Sequence, residues 1–283
     1  MLSGRGELAG AEAEYRAAIA TLGEVVADPR AKPEHRGMLA TSRNNLGALL
    51  VSRGQRSEAE AEHRAAVAIE EQLVAEFPAV SKYRVSLGAT CCNYGRLVHT
   101  GGNPEAGLPW YDQAVVHLTT AAAQQPEDAT VRAYLGASHT CRAKAFEGLK
   151  RYAEAAAELT RVIELSPAKD RPGYRAGRAT ALHLAGRSAE AVAEVAELAE
   201  SDGWGTDQWY NFACAYSAAS VKLAGKREEY AARAVELLAK AVAKGFDEPG
   251  HLAADGDLDP LRGRADFRKL VADLEAKHPQ PPK

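Results

Sequence analysis

Three asparagines stand at the same place in three similar stretches of the sequence. Each lies two residues before a small residue, in the pairs Asn45 and Gly47, Asn93 and Gly95, and Asn211 and Ala213. A side-chain amide carries hydrogen-bond donors and acceptors together, so it can pair with an extended main chain of any sequence. Two interpretations stay open: the asparagines line a binding groove, or they satisfy neighbouring loops and water.

Two cations and two hydroxyls accompany the asparagines. Arg96 lies one helical turn beyond Asn93, and Lys144 lies one turn beyond Cys141, which holds the asparagine position in the next similar stretch. Amides together with two cations favour an extended peptide of some acidic character. The candidate residues of a peptide-binding groove are therefore Asn45, Asn93, Asn211, Arg96, Lys144, Thr41 and Ser52.

The remaining polar motifs do not build a metal site or a catalytic site. Asp255, Asp257 and Asp259 alternate as at the start of a calcium loop, but Pro260 and Asp266 stand where such a loop needs Gly and Glu. We expect instead that Asp259 caps a short helix whose first residue is Pro260. No nucleophile, base and orienting acid stand together. The sequence thus predicts no metal, no cofactor and no enzymatic activity.

Composition and charge exclude several classes of protein. The chain has 283 residues, and its 35 basic and 38 acidic side chains nearly balance. This balance argues against nucleic acid or an anionic membrane as the main partner. No apolar stretch approaches the roughly 20 residues of a membrane span, and the first residues do not form a secretory signal. Four cysteines without disulfide spacing fit a reducing compartment, so we expect a cytoplasmic protein.

A unit of two predicted helices recurs in the first half of the chain. The phrases GAEAEYRAAI, SEAEAEHRAAV and EAGLPWYDQAV each precede a run that ends at a proline, at Pro29, Pro78 and Pro126. These prolines lie 49 and 48 residues apart. Strong helix formers dominate each unit, and glycines recur where a helix should stop. Each unit therefore predicts two amphipathic helices around a turn.

Small residues keep a fixed spacing within each unit. Steps of 12 and 7 residues separate Gly47, Ala59 and Ala66, and they recur in Gly95, Gly107 and Ala114. This spacing resembles the tetratricopeptide repeat (TPR), a helix pair of about 34 residues. The resemblance implies an all-α, right-handed solenoid of antiparallel helix pairs, whose early units have long helices like those of kinesin light chains. It also implies that the asparagines face a concave groove, as in the asparagine ladder of kinesin light chains.

The resemblance also implies a division of the chain. We expect a partial repeat with only a second helix, five repeats, a C-terminal capping segment and a disordered tail, at residues 1–29, 36–78, 83–126, 131–167, 172–200, 207–246, 251–277 and 278–283. Because the first helix of the partial repeat would begin before residue 1, we expect a fragment of a longer protein, or an end helix that serves as its own cap. An uncapped N-terminal face would allow self-association.

The end of the sequence resembles a narrower family. The stretches YNFACAYSAAS and HLAADGDLDPLRGRADFRKLVADLEAK are similar to the C-terminal repeat regions of bacterial serine/threonine protein kinases of the planctomycete type. The chain carries no strand lysine, HRD loop or DFG motif, so this resemblance does not imply kinase activity.

Two functions follow as hypotheses. The first is a non-catalytic protein-interaction scaffold or adaptor that binds an extended peptide or a partner's helix in the concave groove. The alternative is a regulatory or substrate-recruiting arm of a serine/threonine protein kinase whose catalytic domain lies on a missing or split upstream segment.

Overall fold

A computed structural model describes residues Leu2–Lys277, without the side chains of residues 2–7. The described part contains thirteen α-helices and one short 3-10 helix, and it has no β-strand. It forms two compact units, one of residues 2–150 with Glu164–Ser166 and one of Arg151–Ile163 with residues 167–277. The predicted tail at 278–283 lies outside the described residues. Within the described part, no helix combines the length and the apolar character that crossing a membrane requires.

The first unit contains six helices joined by short loops. They are α1 (Leu2–Ala27), α2 (Pro33–Ser52), α3 (Arg56–Glu76), α4 (Ser81–Thr100), α5 (Pro104–Gln124) and α6 (Ala129–Gly148). Each helix packs against the next one along the chain, and α4 also contacts α2 and α6. Gly88 near the start of α4 meets Leu118 late in α5, whereas His99 near its end meets Gly107 early in α5. The paired helices are therefore antiparallel.

The second unit repeats this pairing with shorter helices. Its elements are α7 (Tyr152–Leu165), α8 (Arg171–Leu184), α9 (Ser188–Leu198), α10 (Thr206–Lys222), α11 (Arg227–Ala243), α12 (Pro249–Ala254), the 3-10 helix (Gly256–Leu261) and α13 (Ala265–Glu275). Helices α8 and α9 form one pair, α10 and α11 form another, and α8 contacts α10. The predicted all-α architecture of antiparallel helix pairs, with long helices in the early pairs, is confirmed. The repeat boundaries stay a prediction.

Glycines let the paired helices of the first unit approach closely. A Cβ built on Gly95 would lie 2.9 Å from the ring of Tyr111, and one on Gly107 would lie 3.0 Å from the carbonyl oxygen of Gly95. A Cβ on Gly47 would lie 2.8 Å from the His63 ring. Close-packed interiors do not hold an extra methyl group at such distances. The small-residue spacing in the sequence therefore marks the contact line between helices.

The capping segment differs from the expectation at one residue. Asp255, not Asp259, caps the 3-10 helix, because its carboxylate accepts a hydrogen bond from the backbone N–H of Asp257 at 2.9 Å. Pro260 lies inside that helix rather than at its first position. The backbone of Asp255 is extended, which ends α12 and places the carboxylate over the next N–H groups.

Replacing Gly95 by alanine should destabilise the protein by about 1–3 kcal/mol, because the added methyl group has no room beside Tyr111. The matched control is Gly23→Ala in α1, where a Cβ would meet no atom within 4 Å. That change should stabilise the protein by roughly 0.5–1 kcal/mol through helix propensity. Urea unfolding followed by circular dichroism measures both variants. If Gly95→Ala stabilised the protein as much as Gly23→Ala does, the close approach of α4 and α5 at Gly95 would be contradicted.

Candidate functional site

Two asparagines on neighbouring helices are hydrogen-bonded in the first unit. Nδ2 of Asn93 on α4 donates to Oδ1 of Asn44 on α2 at 3.1 Å, and both side chains are half-buried. The exposed guanidinium of Arg96 donates to Oδ1 of Asn93 at 3.3 Å. These three side chains, which we call the amide face, place polar groups and one positive charge across two helices that are not consecutive in the chain.

A pair of thiols adjoins the amide face. The thiol groups of Cys92 on α4 and Cys141 on α6 lie close enough to affect each other's ionisation. The Cys92 thiol and the positive charges of Arg96 and Lys144 lower the pKa of Cys141, against the opposing effect of burial. The Cys141 thiol and burial raise the pKa of Cys92. Arg96 and Lys144 thus both favour the thiolate form of Cys141.

A cavity of about 550 Å³ lies between α2, α3 and α4. This acidic pocket is lined by Glu34, Gly37, Met38, Thr41, Ser42, Glu70, Leu73, Lys82, Tyr83 and Ser86. Thr41 and Asn44 stand three residues apart on α2, which places the pocket beside the amide face. The volume falls in the range of pockets that hold small ligands.

A buried carboxyl forms part of the pocket wall. Glu70 is 1% exposed, and burial raises its pKa to about 7, partly offset by the hydroxyls of Ser86 and Thr90. Ser86 donates a hydrogen bond to one carboxyl oxygen, Oε1. The other oxygen, Oε2, has no hydrogen-bond partner among the described residues, since Thr90 lies near without reaching hydrogen-bond geometry. A buried acceptor in this state is costly unless a donor reaches it.

The structure brings together only part of the predicted groove set. Asn93, Arg96 and Lys144 lie on α4 and α6, and Thr41 lines the acidic pocket. Asn93 bonds to Asn44, the neighbour of the predicted groove residue Asn45. Adjacent residues of a helix differ in direction by about 100°, so the place of Asn45 in a groove stays a prediction.

Two further candidates lie elsewhere. Ser52 is exposed in the last turn of α2, where its hydroxyl donates to the Leu49 carbonyl oxygen at 2.6 Å. Asn211 belongs to the second unit and lines a cavity of about 180 Å³ with Trp204 and Gln208. Ser52 and Asn211 are therefore not part of the amide face.

The sequence reasoning missed Asn44, Glu70 and Ser86. A signal for Glu70 was present, because it stands in a buried stripe of α3 with Ala66, Val67, Leu73 and Val74. An acid at the helical spacing of core residues breaks the usual pattern of burial, and such a break marks a polar site.

One group of side chains in the described residues could hold a metal ion. Ligand atoms of Cys214, Asp255 and Asp257 in the second unit lie within 4.8 Å of one another. Each acid already has a protein partner, since Tyr210 donates to Asp255 and Nε2 of His183 lies 3.0 Å from Asp257. These bonds fix the 3-10 helix to α8 and α10, which accounts for the group without an ion.

No protein-family model matches the chain, and no curated protein sequence matches it. Several solved structures that resemble it are described as TPR or TPR-like proteins. One is described as a kinesin light chain with nearly identical TPR-like repeats, from Podosopora anserina, at 21% identity and a TM-score of 0.49, covering 74% of this chain and 96% of that one.

Two further structures are similar at lower scores. BtubC (BKLC) from P. vanneervenii has 14% identity and a TM-score of 0.44, with 84% of this chain and 93% of that one covered. YrrB, a TPR protein with an unusual peptide-binding site, has 18% identity and a TM-score of 0.42, with 72% and 90% covered.

Glu70 should make stability depend on pH. Its pKa is higher in the folded protein than the ordinary value of 4.5. The folded state therefore holds an extra proton between about pH 4.5 and 7, and stability falls across that window by up to about 3 kcal/mol. Glu70→Gln should remove this fall. The free energy of unfolding of the variant, measured in urea, should therefore rise relative to that of the natural chain between pH 5 and pH 8. Glu71→Gln, next to it but exposed, is the control and should not alter the pH profile. Parallel profiles for Glu70→Gln and the natural chain would contradict the assignment.

Cys141 should react with iodoacetamide at neutral pH, because the thiolate is the reactive form. The rate of its alkylation, followed by peptide mass spectrometry, should reach half its maximum at a pH below the ordinary thiol value, because Cys92, Arg96 and Lys144 lower the pKa of Cys141. Cys91 and Cys214 are buried with raised pKa values and should stay unmodified in the folded chain. Arg96→Ala with Lys144→Ala should move the midpoint for Cys141 upward, whereas Lys169→Ala should leave it in place. A midpoint at the ordinary thiol value, about 8.5, would contradict the lowering of the Cys141 pKa by Cys92 and the two cations.

Proposed function

We propose that the chain is a protein-interaction scaffold and that the amide face of its first unit binds an extended peptide. The hydrogen bond between Asn44 and Asn93 is the observation that carries this proposal. It aligns two side-chain amides from α2 and α4, so that both act on one ligand strand. The polar groups of an extended main chain need such partners when a protein surface covers them.

The amides keep hydrogen-bonding capacity after they bond to each other. Nδ2 of Asn44 donates no hydrogen bond within the described residues, and Asn93 uses one of its two amide N–H groups on Asn44. Three N–H donors therefore remain for the carbonyl oxygens of a peptide. Because these contacts involve main-chain atoms, they give affinity without strong sequence preference.

The positive charges of Arg96 and Lys144 favour acidic residues of the peptide at this end of the site. Arg96 and Lys144 are exposed, and their charges converge near Cys141. A peptide with an acidic residue that reaches them should associate faster and bind more tightly at low salt. The hypothesis of a regulatory arm of a protein kinase stays a prediction.

Peptide selection tests the proposal directly. Random peptides displayed on phage are selected on the natural chain, and their affinities are measured by fluorescence anisotropy. The double variant Asn44→Ala, Asn93→Ala should bind the selected peptides roughly tenfold or more weakly, since it loses several hydrogen bonds to the ligand. Its thermal midpoint should change little, because both side chains are only half-buried.

Asn103→Ala is the matched control. Asn103 caps α5 by accepting a hydrogen bond from the Ala106 N–H at 3.0 Å. Its loss should cost about 1 kcal/mol of stability and leave peptide affinity unchanged. Equal affinity of the natural chain and the double variant would move binding away from the amide face.

A further inference from the structure

Three polar side chains of the acidic pocket offer acceptors. Thr41 donates its hydroxyl hydrogen to the Gly37 carbonyl oxygen at 3.0 Å, and Ser86 donates its own to Glu70. Both hydroxyl oxygens keep lone pairs, and Oε2 of Glu70 has no partner among the described residues. The pocket also contains donors on Ser42, Tyr83 and Lys82, but only a ligand that donates can satisfy Oε2.

Apolar side chains form the rest of the wall. Leu73 and Tyr83 are buried, while Met38 is 56% exposed at the pocket, an unusual exposure for a large apolar side chain. A ligand with an aliphatic stem would cover Met38 and remove its surface from water. The pocket therefore suits a group with an apolar stem and a cationic, donor-only end.

We propose that the acidic pocket binds a lysine side chain of the peptide held by the amide face. This inference rests on the proposed function and specifies its ligand. Lysine fits better than arginine because only Oε2 of Glu70 is free, so the two-pronged pairing that a guanidinium prefers is not available. A compact ammonium can donate to Oε2 and to the hydroxyl oxygens of Thr41 and Ser86 together.

The lysine of the chain itself does not fill this role. Nζ of Lys82 lies 3.4 Å from Glu34 at the rim, and 5.1 Å from the centre of the Tyr83 ring. Both members of that ion pair are more than half exposed. With Glu70 ionised, the carboxylates of Glu34 and Glu70 and the ammonium of Lys82 give the pocket a net charge of −1. This charge favours a cationic ligand.

The ligand should therefore have opposite charges at two points. Its lysine enters the pocket beside Thr41, and its acidic residue reaches Arg96, which lies beyond Asn93 on α4. The peptide strand crosses the Asn44–Asn93 pair between these two points. A sequence with this order of charges distinguishes the proposal from general affinity for acidic peptides.

Titration of the natural full chain with small probes tests the pocket. The probes are n-butylammonium chloride, an analogue of the lysine side chain, and n-butanol, its neutral counterpart. At pH 8, n-butylammonium should shift the backbone amide signals of Gly37, Thr41 and Ser86 in a saturable way in ¹⁵N NMR spectra. n-Butanol should bind roughly tenfold more weakly or not at all.

Three variants separate the carboxyl from its surroundings. Glu70→Gln keeps the size of the side chain and should weaken n-butylammonium binding roughly tenfold or more. Glu71→Gln is the control and should leave the titration unchanged. Ser86→Ala removes one hydroxyl acceptor of the ammonium but leaves the carboxyl, so it should weaken binding less than Glu70→Gln does. Equal affinity of the two probes, or undiminished binding by Glu70→Gln, would overturn the proposal.

The peptides selected on the natural chain distinguish the two proposals. Replacing their lysine by norleucine should weaken binding to the natural chain and have little effect with Glu70→Gln. If neither change matters while the Asn44→Ala, Asn93→Ala variant loses affinity, the lysine pocket is wrong and the scaffold function stands. If n-butylammonium binds but the asparagine variant keeps full peptide affinity, the amide face is wrong and a cation pocket remains.

Discussion

The close approach of α4 to α5 is the constraint on which the first unit depends. Gly88 and Gly95, seven residues apart on α4, receive the side chains of Leu118 and Tyr111 where no Cβ would fit. Ser86 and Asn93 each precede these glycines by two residues, about 200° away on the opposite face of α4. That face meets α2 and α3, so the seating of α4 on α5 fixes both the amide pair and the hydrogen bond to Glu70.

The fold was largely predictable, because spacing alone reports how helices pair. Glycine and alanine at fixed intervals mark contact lines, as the contact between Gly95 and Gly107 shows. The site was less predictable for two physical reasons. Neighbouring asparagines in α2 differ in direction by about 100°, so a pattern could not choose between Asn44 and Asn45. The cavity at Glu70 forms where three helices meet. Its shape depends on how these helices pack, which the pattern of residues along one helix does not give.

Burial of the Glu70 carboxyl lowers the stability of the fold but supplies a polar group that a ligand can bind. An apolar residue in that stripe of α3 would pack without the cost that an unpartnered carboxyl oxygen imposes. Proteins commonly retain such a cost where the group acts on a ligand. Arg96 is positively charged at one end of the amide face, whereas Glu70 and Glu34 are negatively charged in the acidic pocket beside its other end. This polarity would fix the direction of a bound strand, which the amides alone cannot do.

The side-chain amide signals of Asn44 and Asn93 give the most direct test of peptide binding at this face. A selected peptide is added stepwise to the ¹⁵N-labelled chain, and these NH₂ signals are followed together with the backbone of the outer surface near Val116, which is 62% exposed on α5. The account predicts that the two asparagine signals shift with the same Kd as the anisotropy measurement, while the region of Val116 stays unchanged. Unmoved asparagine signals with saturable shifts near Val116 would contradict it.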